Sequence, residues 1–191
     1  CCCPKTPTMH APRLLALVGG LTLHPVAQLL LTAAQTARPA HYAHAVAAMA
    51  LNGALMAADG GDDAAVRLAL LSGLLHDVGE MYIDPLHGEA EADRDLDFAS
   101  YQQLVVHPHV GYLLVAQLTN YPAEVARAIA EHHERLDQSG YPNALGGGKM
   151  SPQGRLLAVT EATLNALRSP YSHLLHASVA LRAVPGEFDL H

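Results

Sequence analysis

Two adjacent histidines, His132 and His133, close a helical stretch and run straight into Arg135, Asp137 and the turn Gly140-Tyr141-Pro142. A histidine at a helix C-terminus complements the helix dipole, so the pair alone reads equally well as a solvated helix end. Its spacing argues for more. Val125, Ile129, His132 and His133 stand at i, i+4, i+7 and i+8, which sets both imidazoles at the end of an apolar face. The same test collects His44 from an Ala-rich helix, His76 and Asp77 from the end of an almost wholly apolar one, and His107 from the position before Pro108. It also collects Glu161, on the face of Leu157 and Leu164. Each of these has an ordinary explanation on its own: a hydrogen-bonded core histidine, a turn residue, an N-cap, or a partner for Arg155 or Arg168. Seven imidazoles and carboxylates spread over five helices point instead to a metal site.

Iron, manganese and zinc take imidazole and carboxylate ligands. A carboxylate such as Asp77 can bridge two ions. Two ions about 3.5–4 Å apart can share a hydroxide and clamp a phosphodiester for in-line attack, because metal binding lowers the pKa of water from ~15.7 to about 7. The formal charge of the chain is −7, with 13 His against 11 Lys and Arg together and no basic patch. Duplex nucleic acid is therefore excluded as a partner. An anionic substrate needs a positive field that the metal ions would supply.

The elements that must position these residues are helical. The 191 residues suit one domain. Half are hydrophobic, with no Trp and two Phe, so the core is built from Leu, Ala, Val and Met, and Ala and Leu favour helices. An all-α fold follows. Helices are expected over 41–58, over 64–75 behind a cap at Asp62 or Asp63 with a stop at Gly79, over 97–106, from Pro108 to Leu118, and from Pro122 onward. Ser151-Pro152 starts another, and Ser169-Pro170 starts a last one ending before Pro185. Residues 84–96 and 135–150 read as loops. The apolar stretch RLLALVGGLTLHPVAQLLLTAA is interrupted by Gly19, Gly20, His24, Pro25 and Gln28, so it is no membrane span. It reads as a short helix packed on the domain or the end of a linker, after a frayed start holding Cys1, Cys2 and Cys3. The expected organisation is a tail and helical lead-in over 1–36, one domain over 37–184 and a tail over 185–191, in the cytoplasm.

On these residues the sequence resembles a known family. LLSGLLHDVGE resembles the signature of the HD phosphohydrolases, and HHERLDQSGYP that of their HD-GYP branch, which hydrolyses the bacterial messenger cyclic di-GMP. The resemblance runs from about Ala37 to Tyr171. It implies a single HD-type helical bundle with two or three iron or manganese ions in its core. It implies metal ligands at His44 (His41 matching less well), His76, Asp77 as the bridge, His107, His132, His133 and Glu161, with Asp77 and His76 catalytic. It implies a substrate-facing set of Arg135, Asp137, Gly140, Tyr141, Pro142 and Arg168, with the Gly-Tyr-Pro turn also serving signalling-domain partners. The expected reaction opens a cyclic dinucleotide by attack of a metal-activated hydroxide on phosphorus. The alternatives are a degenerate binding or interaction module and a phosphohydrolase for another phosphoester. The sequence departs from the family at Glu80, where a Lys is usual, at Gln138 for a Gly, at Glu161 for an Asp, and in the stretch Arg168-Ser169-Pro170-Tyr171. Glu80 is expected to repel a substrate phosphate. A swing toward the ions and a place in solvent are the other two readings.

Overall fold

The computed structural model describes residues 11–84, 98–168 and 173–189. The expected loop at 84–96, the Ser169-Pro170 start signal and the three cysteines fall wholly or almost wholly outside them. The described residues form α1 (Ala11–Gly19), α2 (Pro25–Ala37), α3 (Pro39–Ala58), α4 (Asp63–Leu75), a 3-10 helix (Val78–Tyr82), α5 (Phe98–Leu104), α6 (His107–Leu118), α7 (Ala123–Glu131), α8 (Pro152–Leu167) and α9 (Leu174–Arg182). The chain is an all-α bundle with no sheet among the described residues; an isolated bridge between Asp137 and Gly146 is the only β-type pairing there. No described helix is long and apolar enough to cross a membrane.

The helix starts follow local chemistry. Asp62 accepts from Ala65 N–H at 2.8 Å and Ser151 from Gly154 N–H at 3.0 Å, and Pro25, Pro39, Pro108 and Pro152 sit in first turns, where a missing N–H costs nothing. The early apolar stretch is two helices rather than one. Gly19-Gly20 ends α1, and His24, whose Nδ1 accepts from Val26 N–H, begins α2. Leu17 of α1 packs with Ala57, Val66 and Leu70, while Ala27 and Leu31 of α2 join the larger cluster of Leu71, Leu74, Leu75, Val78, Val125 and Ile129. Burying a Leu or Ile side chain of this kind is worth about 1.5–3 kcal/mol. Both lead-in helices therefore belong to the body of the fold.

α4 runs through the centre, buried from Ala69 to Leu75 without interruption. α3 lies against it so closely that a Cβ on Gly73 would meet the Ala48 carbonyl oxygen at 2.7 Å. α8 packs on α3, α4 and α7, and α6 packs on α7 and on the 3-10 helix. The ends of α4 and α7, the start of α6 and the middles of α3 and α8 thus meet at one place.

Candidate metal centre

Three histidines arrive at that place in the same local setting. A helix leaves its last carbonyls without intrahelical partners. His76 follows α4 and its Nδ1 lies 2.8 Å from Gly73 O; His132 follows α7 with Nδ1 2.6 Å from Ile129 O. His107 follows the turn after α5 with Nδ1 2.7 Å from Leu104 O. A carbonyl can only accept, so each Nδ1 carries the hydrogen. In the neutral ring this puts the lone pair on Nε2, where it can meet a cation, which is how an outer hydrogen bond fixes a ligating imidazole.

The lone pairs converge. His107 Nε2 and His132 Nε2 are 3.1 Å apart. Asp77 Oδ1 lies 3.3 Å from His132 Nε2 and 3.5 Å from His107 Nε2, and it is buried without a hydrogen bond of ordinary geometry. Asp77 Oδ2 lies 3.0 Å from His76 Nε2 and 3.5 Å from His44 Nε2. Glu161 Oε2 is 2.8 Å from His44 Nε2 and 3.2 Å from His76 Nε2. Two ligand groups result, Asp77–His107–His132–His133 and His44–His76–Asp77–Glu161, each with one donor atom per residue within 4.8 Å of the others. Asp77 is common to both and turns one oxygen to each. Lone pairs aimed at one another in a buried space are unfavourable unless a cation lies between them, so this donor set fits first-row divalent ions.

The electrostatics agree. Burial pushes His133 well below the ordinary imidazole value, helped by His132 and His107, and burial lowers His132 as well. Both are held neutral and ready to ligate. Burial also acts to lower His76, but the Asp77 and Glu161 carboxylates beside it win and raise it well above the ordinary value. Burial would raise Asp77 and Glu161; the charge of His76, with the His107 and His132 rings close by, holds Asp77 well below the carboxylate range, and hydrogen bonds from His44 and His76 do the same for Glu161. His76 is thus the member of the cluster at which a proton and a cation would compete.

All seven expected ligands come together. The expected substrate set does not stay together. Tyr141 stacks on His133 with ring centroids 4.5 Å apart, in the turn where the Tyr141-Pro142 bond is cis, and Gly140 lets that turn fold back on the His133 carbonyl. Arg168 Nη2 lies 3.9 Å from Glu161 Oε1. Arg135 turns away: it donates to the Glu134 carbonyl, pairs with Glu187 at 3.3 Å and covers the Phe188 ring. Asp137 is exposed and accepts from Ser139, which lowers its pKa and closes a local turn.

None of the three readings of Glu80 describes its place in the fold. It is 1% exposed, so it is neither in solvent nor on an open phosphate-facing wall, and it stands outside both ligand groups. Its Oε2 lies 3.1 Å from His41 Nδ1, while Arg38 donates to the Glu80 carbonyl at 2.7 Å. His41 therefore pairs one turn away from His44 instead of joining it.

Sequence reasoning passed over two buried glutamates. Glu134 accepts from the main chain of Asn143 and Leu145, both at 2.7 Å, and so pins the loop after the histidine pair. Glu131 accepts from Ser151 N–H and Oγ–H and from Arg127, tying the end of α7 to the start of α8. The available signal was acidic residues flanking the two histidines on a buried helix end.

Comparison with known proteins places these features in a family. The family description "HD domain" matches residues 22–185. The chain is 33% identical over 189 residues to the Pseudomonas aeruginosa protein named cyclic di-GMP phosphodiesterase PA4108, covering 95% of this chain and 45% of that protein. It spans less than half the length of the curated relatives it matches. Among solved structures, Bd1817 of Bdellovibrio bacteriovorus, described as a HDG"Y"P protein, superposes with a TM-score of 0.64 at 19% identity, over 86% of this chain and 57% of that one. The HD domain of L. monocytogenes phosphodiesterase PgpH, solved with cyclic-di-AMP, gives 0.63 at 14% identity, over 86% of this chain and 83% of that one. Both likenesses are of fold.

Proposed function

We propose that this chain, which belongs to the HD-domain family, is a metal-dependent phosphodiesterase that opens cyclic di-GMP. The observation that carries the reading is the placement of Asp77, with one carboxylate oxygen on each of two His-rich ligand groups. Two ions held there would supply an activated water and Lewis-acid charge for in-line displacement at phosphorus. His44, His76 and Glu161 complete one position, and His107, His132 and His133 the other. The Nδ1 hydrogen bonds to Gly73, Leu104 and Ile129 keep three rings oriented without reorganisation. Arg168, beside Glu161, takes a phosphate oxygen, and the Tyr141 ring flanks the substrate next to His133. The cyclic di-GMP assignment draws on the name of the Pseudomonas relative, and the PgpH complex makes cyclic di-AMP the substrate to compare.

The test is turnover by protein purified without oxygen and loaded with Mn²⁺ or Fe²⁺, with product read by chromatography. The expected outcome is a linear dinucleotide from cyclic di-GMP, formed only by loaded protein and not by Asp77→Ala. Faster turnover of cyclic di-AMP would change the substrate and keep the chemistry. Tight binding of both nucleotides by fully loaded protein, with no hydrolysis, would make the domain a binding module.

A further inference from the structure

Behind the metal centre lies a second buried polar cluster. Asn52 on α3, Ser72 on α4 and Thr160 on α8 are each at most 1% exposed. Asn52 Nδ2 donates to the Ala69 carbonyl at 2.8 Å and approaches Ser72 Oγ at 3.4 Å, while Thr160 Oγ1 donates to Asn52 Oδ1 at 2.9 Å. One side chain therefore ties three helices together. These are the same helices that carry His44, His76 and Glu161. Ser72 stands one turn before His76, Thr160 directly before Glu161, and Asn52 about two turns beyond His44. The other ligand group is braced elsewhere: His107 opens α6, and His132 and His133 follow α7, flanked by Glu131 and Glu134 with their own ties to Ser151 and to the loop at Asn143 and Leu145.

Resting on the reading that both groups hold ions, we infer that Asn52 is a positioning residue for the ion at His44–His76–Asp77–Glu161 and not for the ion at the other group. The physical reason is the composition of the contact. α3 meets α4 through small residues, Ala48 against Gly73, and apolar contact of this kind is non-directional. Such a surface fixes how close two helices lie better than how far one has slid along the other. Hydrogen bonds fix the slide, and a metal site tolerates only about 0.5 Å of it.

The substitution Asn52→Leu removes the cross-links at similar volume. It strands no hydroxyl, because Thr160 Oγ1 also reaches the Leu156 carbonyl at 3.0 Å and Ser72 Oγ the Leu68 carbonyl at 2.8 Å. Thr160→Val cuts one link, and Thr160→Ser restores it. The full chain, freed of metal, is titrated with Mn²⁺ alone by calorimetry, and bound ions are counted by elemental analysis. The expected result is two ions in the unaltered chain and in Thr160→Ser. In Asn52→Leu and Thr160→Val, one ion is held as before and the other about 10-fold more weakly. Val66→Ala, in the apolar cluster beneath α1, should lower thermal stability and leave both ions at full affinity. Two unweakened ions in Asn52→Leu and Thr160→Val, or an equal loss at both positions, would overturn the role of Asn52. An Asn52→Leu chain that failed to fold would leave the Thr160 pair to decide in the same way. An unaltered chain that bound no Mn²⁺ would sink the ion reading itself, together with this inference.

Discussion

Asp77 is the residue on which both ligand groups depend. Removing it takes one donor from each group and leaves imidazole lone pairs facing one another. Asp77→Ala is therefore expected to lose most of both ions, whereas Glu161→Ala removes a donor from one group only and should keep about one ion per chain. Elemental analysis after anaerobic loading separates the two; equal loss in both variants would show that Asp77 does not bridge. Glu80 makes a prediction of the opposite kind. A Lys at this position would carry an ammonium into the space beside His41, under the Arg38 guanidinium. Glu80→Lys should cost roughly 3–5 kcal/mol of unfolding free energy, as an uncompensated buried charge does. Glu80→Gln, which keeps the shape and one hydrogen bond, should cost about 1 kcal/mol. Denaturant unfolding of the metal-free variants measures both, and equal stabilities would mean that the His41 contact is not maintained in solution.

At the level of elements, much of the site was legible because its cause is local. A polar residue on an apolar helical face is visible as a break in periodicity, and that signal marks His132, His133 and Glu161. What was not legible depends on contacts between distant parts of the chain. His41 and His44 sit one turn apart on α3, and nothing in their spacing says that Glu80 will take the first. Arg135 is drawn away by Glu187 and Phe188, more than fifty residues later. Gly79 reads as a helix stop, yet it is one residue into the 3-10 helix, and its φ is not positive. It is needed because a Cβ there would collide with the His107 carbonyl and come within 2.8 Å of Gly111 N. Gly79→Ala must therefore push the 3-10 helix off the start of α6. Overpacking of this sort costs about 1–3 kcal/mol, and here it moves His107. The expected outcome is weakened metal binding at the His107–His132–His133 position together with a lower unfolding midpoint. A lower midpoint with both ions unaffected would show that α6 yields elsewhere. The early stretch is two packed helices where one short helix or a linker end is expected, because Gly19-Gly20 and His24-Pro25 act as ordinary stop and start signals.

For the whole molecule, the metal centre joins folding to pH. Ligands bound only by the folded chain stabilise it by mass action, about 3 kcal/mol for an ion present at ~100 times its dissociation constant. The sign of the pH dependence follows from the ligands. In the metal-free chain, His132 and His133 have folded values below their unfolded value of about 6.5. Their neutral burial is compatible with stability above that pH and works against it as the pH falls. Asp77 and Glu161 are also depressed, so their contribution is present above the ordinary carboxylate range and lost as the pH falls through their folded values. His76 runs the other way. Its folded value is raised, so its proton stabilises the metal-free chain below about 6.5, and this is lost as the pH rises through the folded value. A metal bound at His76 would have to displace that proton. Lowering the pH thus favours the metal-free form at His76 and charges the other imidazoles that a metal needs neutral. The rise in melting temperature produced by Mn²⁺ should be largest near about pH 8 and shrink steadily toward about pH 5.5. Because the proton on His76 is held by Asp77 and Glu161, His76→Gln should bind Mn²⁺ more weakly and with a flatter pH dependence. A Mn²⁺-induced rise that stayed constant over the whole range would mean that the ion is held by carboxylates alone, and that the five imidazoles meeting there are not its ligands.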